Sequence, residues 1–534
     1  MQLENINRLA ARKRIVWHAA LMAVLLAGLA VRMIGIHHGA PRYIWHPDVS
    51  KQVQMAIEAY SKTPNPREYF NDDVRLALYP YGSSILLAKA MQIRSLLGGR
   101  AAVEKKDRWL WDYRLRWQAS LLFLFAVATA ALCLRPRLGP WTLLLGGLAL
   151  VLEPASSLDS HYGMNDVPMA ALVLMAWALC TRIPQESIRI PWPSLCAGLA
   201  LGLAFGVKYT AALAGIFPLA AWIGLTREKK WKAALISVAA VGIAGLAGMW
   251  ITCPMLRNDP SYFLQNFSAF MQWQANVTGQ PVPLSEKIPA NLSVLIRTII
   301  GHGHFLLILG GLLGTVLIWR DRDRDHLRWL SAALWILAAV LIFIILTGRD
   351  IARANDLLML WPPMIMIAAS GLSIAPGIRR FALAATLLTI GWFGAASFLD
   401  AAALSRPDTR ERARDWCIQN IPAGSVVISE RYTLPVEIPG ITEKGARYLY
   451  RQKDVSAGGA DFLISSSMAY GRFFNPGMPF YDTEIQSFYL SLTNRYEAAA
   501  EFHDRELPFA HPRITVYRKR GELVQDPSRG EVQE

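Results

Sequence analysis

Charged side chains are scarce in this sequence. Of its 534 residues only 18% are Asp, Glu, Lys or Arg, and 53% are hydrophobic. A soluble globular chain carries about 25% charged residues. Apolar runs recur through roughly the first four hundred residues and then stop. The composition therefore excludes a soluble enzyme and predicts a polytopic α-helical membrane protein.

Several sequence motifs are absent as well. The five cysteines form no CxxC pair, so neither a disulfide framework nor a cysteine metal site is indicated. The sequence contains no GxGxxG, P-loop or GxSxG segment. It shows no internal repeat, whereas many secondary transporters are built from repeats. The first apolar run has no small-residue cleavage site, so we expect an uncleaved first span.

Basic residues outnumber acidic ones, and the formal net charge is +15. In a soluble protein this charge would indicate nucleic acid binding. Here the short links between apolar runs at 135–137, 182–189, 226–232, 320–328 and 377–380 are all basic. Cytoplasmic loops of membrane proteins collect Lys and Arg. Membrane topology therefore explains the charge, and we expect no nucleic acid partner.

The apolar runs predict about eleven membrane spans, within a range of ten to thirteen. The basic links between them indicate which end of each span faces the cytoplasm. With residues 12–14 in the cytoplasm, every basic link falls on the cytoplasmic side and the C-terminal tail lies outside. The candidate spans are Ile15–Ile36, Tyr113–Leu134, Trp141–Ser157, Val167–Thr181, Leu195–Val207, Tyr209–Leu225, Ala233–Cys253, Leu295–Trp319, Trp329–Thr347, Leu357–Ser373 and Phe381–Leu399.

The same scheme divides the chain into two regions. Residues 1–405 form a membrane module with a long first outer loop at 37–112. Within that loop Tyr81–Leu97 is short and charged, so we expect a helix lying on or dipping into the outer surface rather than a span. Residues 406–534 have the composition of a small extracytoplasmic α/β domain. Its predicted elements are helices at Asp408–Asn420 and Glu484–His503 and strands at Val426–Ser429, Phe462–Ser465 and Ile514–Tyr517.

Asp48 is the first candidate for chemistry. It follows His46 and Pro47 in YIWHPDVSK at 43–51, about a dozen residues after the first apolar run, and so just above the membrane surface. One interpretation is an N-cap for a helix over Val49–Ser61. The other is a general base, or a metal-held carboxylate, that deprotonates an acceptor. The two roles are compatible, because capping would fix the position of the carboxylate.

The second candidate is the segment LDSHYGMNDVPM at 158–169, which links two spans on the outer side. It holds Asp159, His161 and Asp166. Asp166 precedes a proline and is also suited to be an N-cap. Asp48, Asp166 and His161 are together candidate ligands of a divalent cation, since carboxylates suit Mg²⁺ or Mn²⁺ and imidazole suits softer metals. The spacing matches no specific metal motif.

Cationic and aromatic residues are predicted on the same outer side. Lys208 lies between two apolar halves, where it either reaches the headgroups or binds a lipid phosphate or pyrophosphate. Arg349 and Arg353 arrive at the same face and suit bidentate phosphate contacts. Tyr79 fits the aromatic belt at a membrane interface, and Asp72 and Asp73 in the same loop are typical solvated acids.

These segments resemble the GT-C superfamily of membrane glycosyltransferases, in particular bacterial relatives of the dolichyl-phosphate-mannose protein mannosyltransferases and of the aminoarabinose lipid A transferase. The stretches that carry the resemblance are HPD at 46–48, LYPYG at 78–82, DSHYGMNDVP at 159–168, GLAFGVKYTA at 202–211 and DTRERARDWCIQNIPAGS at 408–425. The departures are Val49, where many relatives have a second acid, the absence of WWDYG, and too little chain for an extra luminal β-domain.

The resemblance implies a phospholipid-carrier-dependent glycosyltransferase of a bacterial inner membrane. A hexosyl or pentosyl group would pass, with inversion, from a polyprenyl-phosphate or polyprenyl-pyrophosphate donor to a protein, lipid or glycan acceptor on the outer face. Asp48 maps to the base, Asp166 to the second acid and Lys208 to the donor phosphate. The remaining candidate substrate contacts are His46, Tyr79, Asp159, His161, Arg349 and Arg353.

A transporter or flippase of lipid-linked glycans is the alternative. Transporters place ionisable residues near the bilayer midplane on broken spans. The ionisable residues singled out here lie at the predicted outer boundary instead. Their position favours the enzyme.

Overall fold

The computed structural model describes residues 2–40, 47–61, 81–96, 108–135, 138–183, 191–261, 263–264, 283–321, 325–348, 354–372, 379–437, 439–452, 454–455, 459–474 and 481–521. The chain divides into two compact units, Met1–Ser405 and Arg406–Glu534. In the described residues, the regular secondary structure of the first unit is entirely helical, and the second unit contains a sheet.

The first unit consists of sixteen described α-helices, and the helix that begins at Pro254 is a single short turn. Their bounds are α1 Gln2–Met33, α2 Pro47–Ser61, α3 Gly82–Leu96, α4 Arg108–Leu134, α5 Pro140–Val151, α6 Pro154–Tyr162, α7 Asp166–Cys180, α8 Trp192–Val207, α9 Ile216–Arg227, α10 Trp231–Thr252, α11 Pro254–Asn258, α12 Leu284–Gly301, α13 His304–Arg320, α14 Asp325–Gly348, α15 Trp361–Leu372 and α16 Arg379–Leu404.

The described residues do not confirm the expected number of membrane spans. Six described helical stretches are long and apolar enough to cross a membrane, or up to eight if each of two bent helix pairs counts as one span. The predicted spans at 167–181 and 195–207 are helices of 15 and 16 residues, shorter than the roughly 20 residues that a bilayer requires. The mostly helical membrane fold is confirmed, whereas the count of eleven is not.

Helix α3 covers most of the segment 81–97. It has 15 residues and its first half is buried. Gly82 sits so close to the end of α8 that a Cβ there would lie 2.4 Å from the Gly206 carbonyl oxygen. Ser84 Oγ donates to the Gln52 carbonyl oxygen of α2 (2.7 Å). This helix is therefore packed between α2 and α8, and it is not among the candidate spans of the described residues.

Glycines allow α8 and α10 to touch backbone to backbone. Gly198, Gly202 and Gly206 recur every four residues along α8 and face Val241, Gly245 and Thr252 of α10. Small residues at this spacing are what close helix packing in a membrane requires, because apolar burial alone gives no preference for protein over lipid. The pair fixes the end of α8, where Lys208 follows.

Replacement of Gly202 by Ala is expected to force α8 and α10 apart and to destabilise the protein. A Cβ on Gly202 would lie 2.0 Å from the Gly245 carbonyl oxygen, and overpacking of this kind costs about 1–3 kcal/mol or more. We expect a lower melting temperature and a smaller monodisperse fraction after detergent extraction. Gly242→Ala is the matched control, because nothing lies within 4 Å of a Cβ there. Equal melting temperatures for the two variants would contradict this packing.

The second unit is a mixed five-stranded sheet with three described helices. The strand order is β2-β1-β3-β5-β4, with β1 parallel to β2 and β3, and β5 antiparallel to β3 and β4. The elements are α17 Thr409–Asn420, β1 Val426–Glu430, β2 Thr442–Ala446, β3 Phe462–Ser466, α18 Ser467–Phe474, α19 Thr483–Arg495, β4 Tyr496–Phe502 and β5 Ile514–Lys519.

The predicted helix Glu484–His503 is wrong in its second half. Helix α19 ends at Arg495, and Tyr496–Phe502 is the edge strand β4. The sequence YEAAAEF is rich in helix-forming alanine, but Tyr496 is fully buried in the domain core and the backbone pairs with β5 through a bulge between Ala498 and Ala500. Tertiary pairing overrides the local preference. Strand β2, TEKGA, was not predicted.

Candidate functional site

Two short helices hold the acidic residues of 158–169. Helix α6 begins at Pro154, where Glu153 caps its first turn, and ends at Tyr162, where Gly163 forms the C-cap with a left-handed φ of 65°. Glycine adopts this conformation without a Cβ penalty. Helix α7 begins at Asp166. Only Gly163, Met164 and Asn165 separate the two helices, and Asp159 and Asp166 lie close enough to interact electrostatically.

Lys208 joins this site from another part of the chain. Its Nζ makes an ion pair with Asp166 Oδ1, and the two side chains are 19% and 5% exposed. Lys208 is the C-terminal cap of α8, and the α8–α10 glycine contact fixes the end of that helix. A cation of a membrane protein that is neither fully buried nor in bulk water is suited to an anionic ligand. This pair is the central feature of the site.

Asp159 lies beside the pair. Its carboxylate interacts electrostatically with Asp166, Glu153 and Lys208 and accepts a hydrogen bond from the Asn355 side chain. Its side chain is partly exposed. Asn355 belongs to the 3₁₀ helix Ala354–Leu357, which directly follows the predicted Arg353. Sequence reasoning missed Asn355, although the stretch RAND that contains it was selected for its arginine.

A second buried pair, Glu153 and His304, was also missed. Glu153 accepts hydrogen bonds from the amides of Ala155 (2.9 Å) and Ser156 (2.7 Å), and its Oε1 lies 2.8 Å from His304 Nε2. The imidazole stacks on Trp361 with ring centroids 4.2 Å apart. Glu153 stood inside a predicted span, and an acid there is costly unless it has a partner. That cost was the signal that could have found the pair.

Arg32 and His161 tie α6 to the end of α1. The fully buried Arg32 donates to the Val151 carbonyl oxygen (2.6 Å) and to Ser156 Oγ (3.3 Å). His161 has Nδ1 2.8 Å from the Ser157 carbonyl oxygen and Nε2 2.7 Å from that of Ile34. Both ring nitrogens therefore face backbone acceptors. The ring positions α6, and its predicted role as a substrate contact stays a prediction.

The described side chains do not fit a cation held jointly by Asp48, Asp166 and His161. Among the described residues, these three do not form a group whose ligand atoms all lie within 4.8 Å of one another. Both nitrogens of His161 are engaged by backbone carbonyls, and Asp166 is paired with Lys208. A dependence on Mg²⁺ or Mn²⁺ stays a prediction.

Asp48 lies in the first turn of α2, because the helix begins at Pro47 rather than after Asp48. A carboxylate in this turn interacts favourably with the helix dipole by about 0.3–1 kcal/mol. The side chain is partly exposed. Helix α2 packs on α3, and α3 packs on the end of α8. Helix α3 therefore contacts both α2, which carries Asp48, and α8, which ends just before Lys208.

Several predicted site residues lie outside the described residues. They are His46, Tyr79, Arg349 and Arg353, together with Asp72 and Asp73. Their roles stay predictions. Of the residues selected from sequence, the structure brings together Asp159, Asp166 and Lys208.

Residues 109–346 match the family model described as glycosyltransferase family 87. The expected resemblance to the GT-C glycosyltransferases is confirmed. The matched range includes Glu153, Asp159, Asp166, Lys208 and His304. It begins after Asp48, so the match does not extend to the predicted base.

Three solved structures are similar to most of this chain. The apo crystal structure of ArnT from Cupriavidus metallidurans has a TM-score of 0.48 and 14% identity, covering 94% of this chain and 97% of that one. Its undecaprenyl phosphate complex has the same score and identity, with 94% and 98% covered. The archaeal oligosaccharyltransferase AglB from Archaeoglobus fulgidus, with an inhibitory peptide and a dolichol-phosphate, has 0.47 and 11%, with 91% and 73% covered. A comparison with curated protein sequences finds no significant match.

Proposed function

We propose that this chain transfers a sugar from a polyprenyl-phosphate or polyprenyl-pyrophosphate donor to an acceptor at the outer face of the membrane, with inversion at the anomeric carbon. The observation that carries the proposal is the largely buried Lys208–Asp166 pair with Asp159 beside it. It lies in the part of the chain that matches a glycosyltransferase family.

In this mechanism Lys208 binds the donor phosphate. Asp166 holds the Lys208 ammonium in place before the donor arrives, so little reorganisation is needed. The bond between the anomeric carbon and the phosphate oxygen breaks, and the electron pair leaves with the phosphate. Lys208 stabilises that negative charge. Arg349 and Arg353 are proposed to bind the remaining phosphate oxygens.

Asp48 is the proposed general base. The acceptor oxygen attacks the anomeric carbon from the side opposite the phosphate, and its proton passes to the Asp48 carboxylate as the new bond forms. The partial exposure of Asp48 leaves it accessible to an acceptor. Helix α2, which is held to α3 by the Ser84–Gln52 hydrogen bond, keeps the carboxylate in a fixed position.

Transport of a lipid-linked glycan is the second candidate, and one observation favours it. The pairs α5–α6 and α12–α13 are bent by 49° and 85°, and broken helices are typical of transporter binding sites. Glu153 lies at the first break and His304 next to the second, and their side chains pair. The partners are fully buried and bonded to each other, which favours a structural role.

Labelled donors decide between the two candidates. Inverted and right-side-out vesicles that contain the purified protein are incubated with a set of radiolabelled polyprenyl-phosphate sugars and a membrane extract as acceptor. We expect label to move from the prenyl carrier to an acceptor fraction when the outer face is accessible. Label that crosses the membrane while it remains on its carrier, with every donor tested, would overturn the enzyme and support transport.

A further inference from the structure

An aromatic cluster lies in the second unit beyond the ends of β1 and β3. Tyr448 and Tyr450 stack with ring centroids 5.6 Å apart and planes at 26°. Phe473 of α18 packs edge-on against both rings, at 5.3 and 5.6 Å. Tyr448 is buried at 7% exposed, whereas Tyr450 is partly exposed. The outer ring of a supported stack is therefore accessible.

Three arginines surround the same rings. The guanidinium carbons of Arg447, Arg451 and Arg472 lie 5.6, 5.7 and 5.8 Å from the centroid of the Tyr448 ring. Arg451 also lies 5.4 Å from the Tyr450 ring centroid, and its Nε donates to the Tyr450 hydroxyl (2.9 Å). Cation–π contacts of this length are favourable. They do not cancel the mutual repulsion of three cations.

Carboxylates provide little compensating charge here. Among the residues that the structure describes, no carboxylate lies within 4.0 Å of the Arg447 or Arg451 guanidinium, and both side chains are exposed. The neighbouring acid Asp454 is paired with Lys444 at 2.7 Å. Excess positive charge is therefore concentrated at one place on the surface of this unit.

Glu430, at the end of β1, interacts electrostatically with Arg472. It is buried and accepts hydrogen bonds from the Tyr489 hydroxyl and from the amides of Leu449 (3.2 Å) and Ser466 (3.0 Å). Burial raises the pKa of Glu430 to about 7. Its charge is thus only partly present near neutral pH, and its oxygens are directed into the core rather than to the surface.

We propose that Arg447, Arg451, Arg472, Tyr448 and Tyr450 form a binding site for an anionic saccharide, a sugar ring that carries a phosphate or carboxylate group. We call these five residues the Arg–Tyr cluster. The exposed guanidinium groups supply forked donors for the oxyanion. The accessible Tyr450 ring supplies a flat amphipathic surface for the sugar. The site lies in the second unit and does not depend on the transfer reaction.

The alternative ligand of the same charge is an anionic membrane surface. Membrane-binding basic clusters usually contain four to eight Lys or Arg residues and act as diffuse charge. The Arg–Tyr cluster has three arginines, each fixed against an aromatic ring. Fixed donors around an accessible ring favour a small ligand with a defined shape.

Binding to the full-length protein in detergent tests the proposal. Calorimetric titrations use glucose 1-phosphate, glucuronic acid, uncharged glucose and inorganic phosphate. We expect glucose 1-phosphate and glucuronic acid to bind at least tenfold more tightly than glucose, and glucose 1-phosphate more tightly than inorganic phosphate. The double variant Arg447→Gln/Arg451→Gln should weaken both anionic sugars at least tenfold, and Tyr450→Leu should reduce the preference for glucose 1-phosphate over phosphate.

Two controls separate this site from others. Arg513→Gln/Arg518→Gln removes two exposed arginines of the same unit that pair with Glu501 and Glu497, and it should leave binding unchanged. Lys208→Met should also retain it, because Lys208 belongs to the other site. Absence of binding, equal affinity for inorganic phosphate, loss in the control pair, or binding only to vesicles of phosphatidylcholine and phosphatidylglycerol would each overturn the proposal.

Discussion

Asp48→Asn is expected to lower sugar transfer at least a hundredfold and to leave the protein folded. A positioned general base contributes about 10²–10⁴-fold to rate, and an amide cannot accept the acceptor proton. Asparagine has the shape of aspartate and is tolerated at helix N-termini. The substitution weakens the interaction with the helix dipole, which contributes about 0.3–1 kcal/mol. The measurement is the initial rate of label transfer by purified protein, together with its melting temperature.

Glu58→Gln is the matched control for Asp48. Glu58 belongs to the same helix, is also partly exposed, and carries the same charge. Its neutralisation should leave transfer within about twofold of wild type, since surface substitutions usually change stability by less than about 0.5 kcal/mol. If Asp48→Asn keeps full activity, Asp48 only stabilises the first turn of α2. If both variants lose activity equally, the effect comes from helix charge rather than from a base.

Features that depend on local sequence were predictable. Hydropathy located the membrane helices because apolar length is itself the requirement for a span. The helix at Asp408–Asn420 was predicted with nearly the right bounds, and the structure shows Asp408 and Glu411 forming a reciprocal capping box at its start. Strands β1, β3 and β5 followed from their β-branched residues. Strand β4 did not, because its pairing partner β5 decides its conformation.

The membrane spans show a second limit of sequence reasoning. Apolar runs of 15 and 16 residues in α7 and α8 have the composition of spans without the length. These helices are packed against other helices, and much of their surface is buried protein rather than lipid contact. Hydropathy does not distinguish a residue that faces lipid from one that faces another helix. The count of spans was therefore less predictable than the membrane fold.

The residues of the candidate site also divide into those that the sequence predicted and those that it did not. Asp159 and Asp166 were selected because they cluster within eight residues of chain. Asp166 pairs with Lys208, which is 42 residues away, and the positive-inside rule had placed both on the same side of the membrane. The Glu153–His304 pair spans 151 residues and joins two helix breaks that hydropathy does not reveal. No local pattern in the chain relates these two residues.

Lys208→Met is expected to raise the donor concentration required for half-maximal transfer about 10–100-fold, with a smaller effect on the rate at saturation. A hydrogen bond to a charged group contributes about 1.5–3 kcal/mol, and each 1.4 kcal/mol corresponds to about tenfold in binding. Loss of contacts that are equal in the ground state and the transition state raises KM and leaves kcat unchanged. Lys230→Met, an exposed lysine that pairs with Glu228, should change neither value.

A double variant separates a donor contact from a structural ion pair. Lys208→Met alone leaves the largely buried Asp166 carboxylate without its partner, and an unpaired buried charge destabilises by about 3–5 kcal/mol. Lys208→Met/Asp166→Asn removes that penalty, because no uncompensated charge remains. If Lys208 binds the donor phosphate, the double variant regains thermal stability but still requires the raised donor concentration. If the pair only holds α7 against the end of α8, the double variant recovers both wild-type stability and the wild-type donor requirement. That result would show that Lys208 does not bind the donor phosphate.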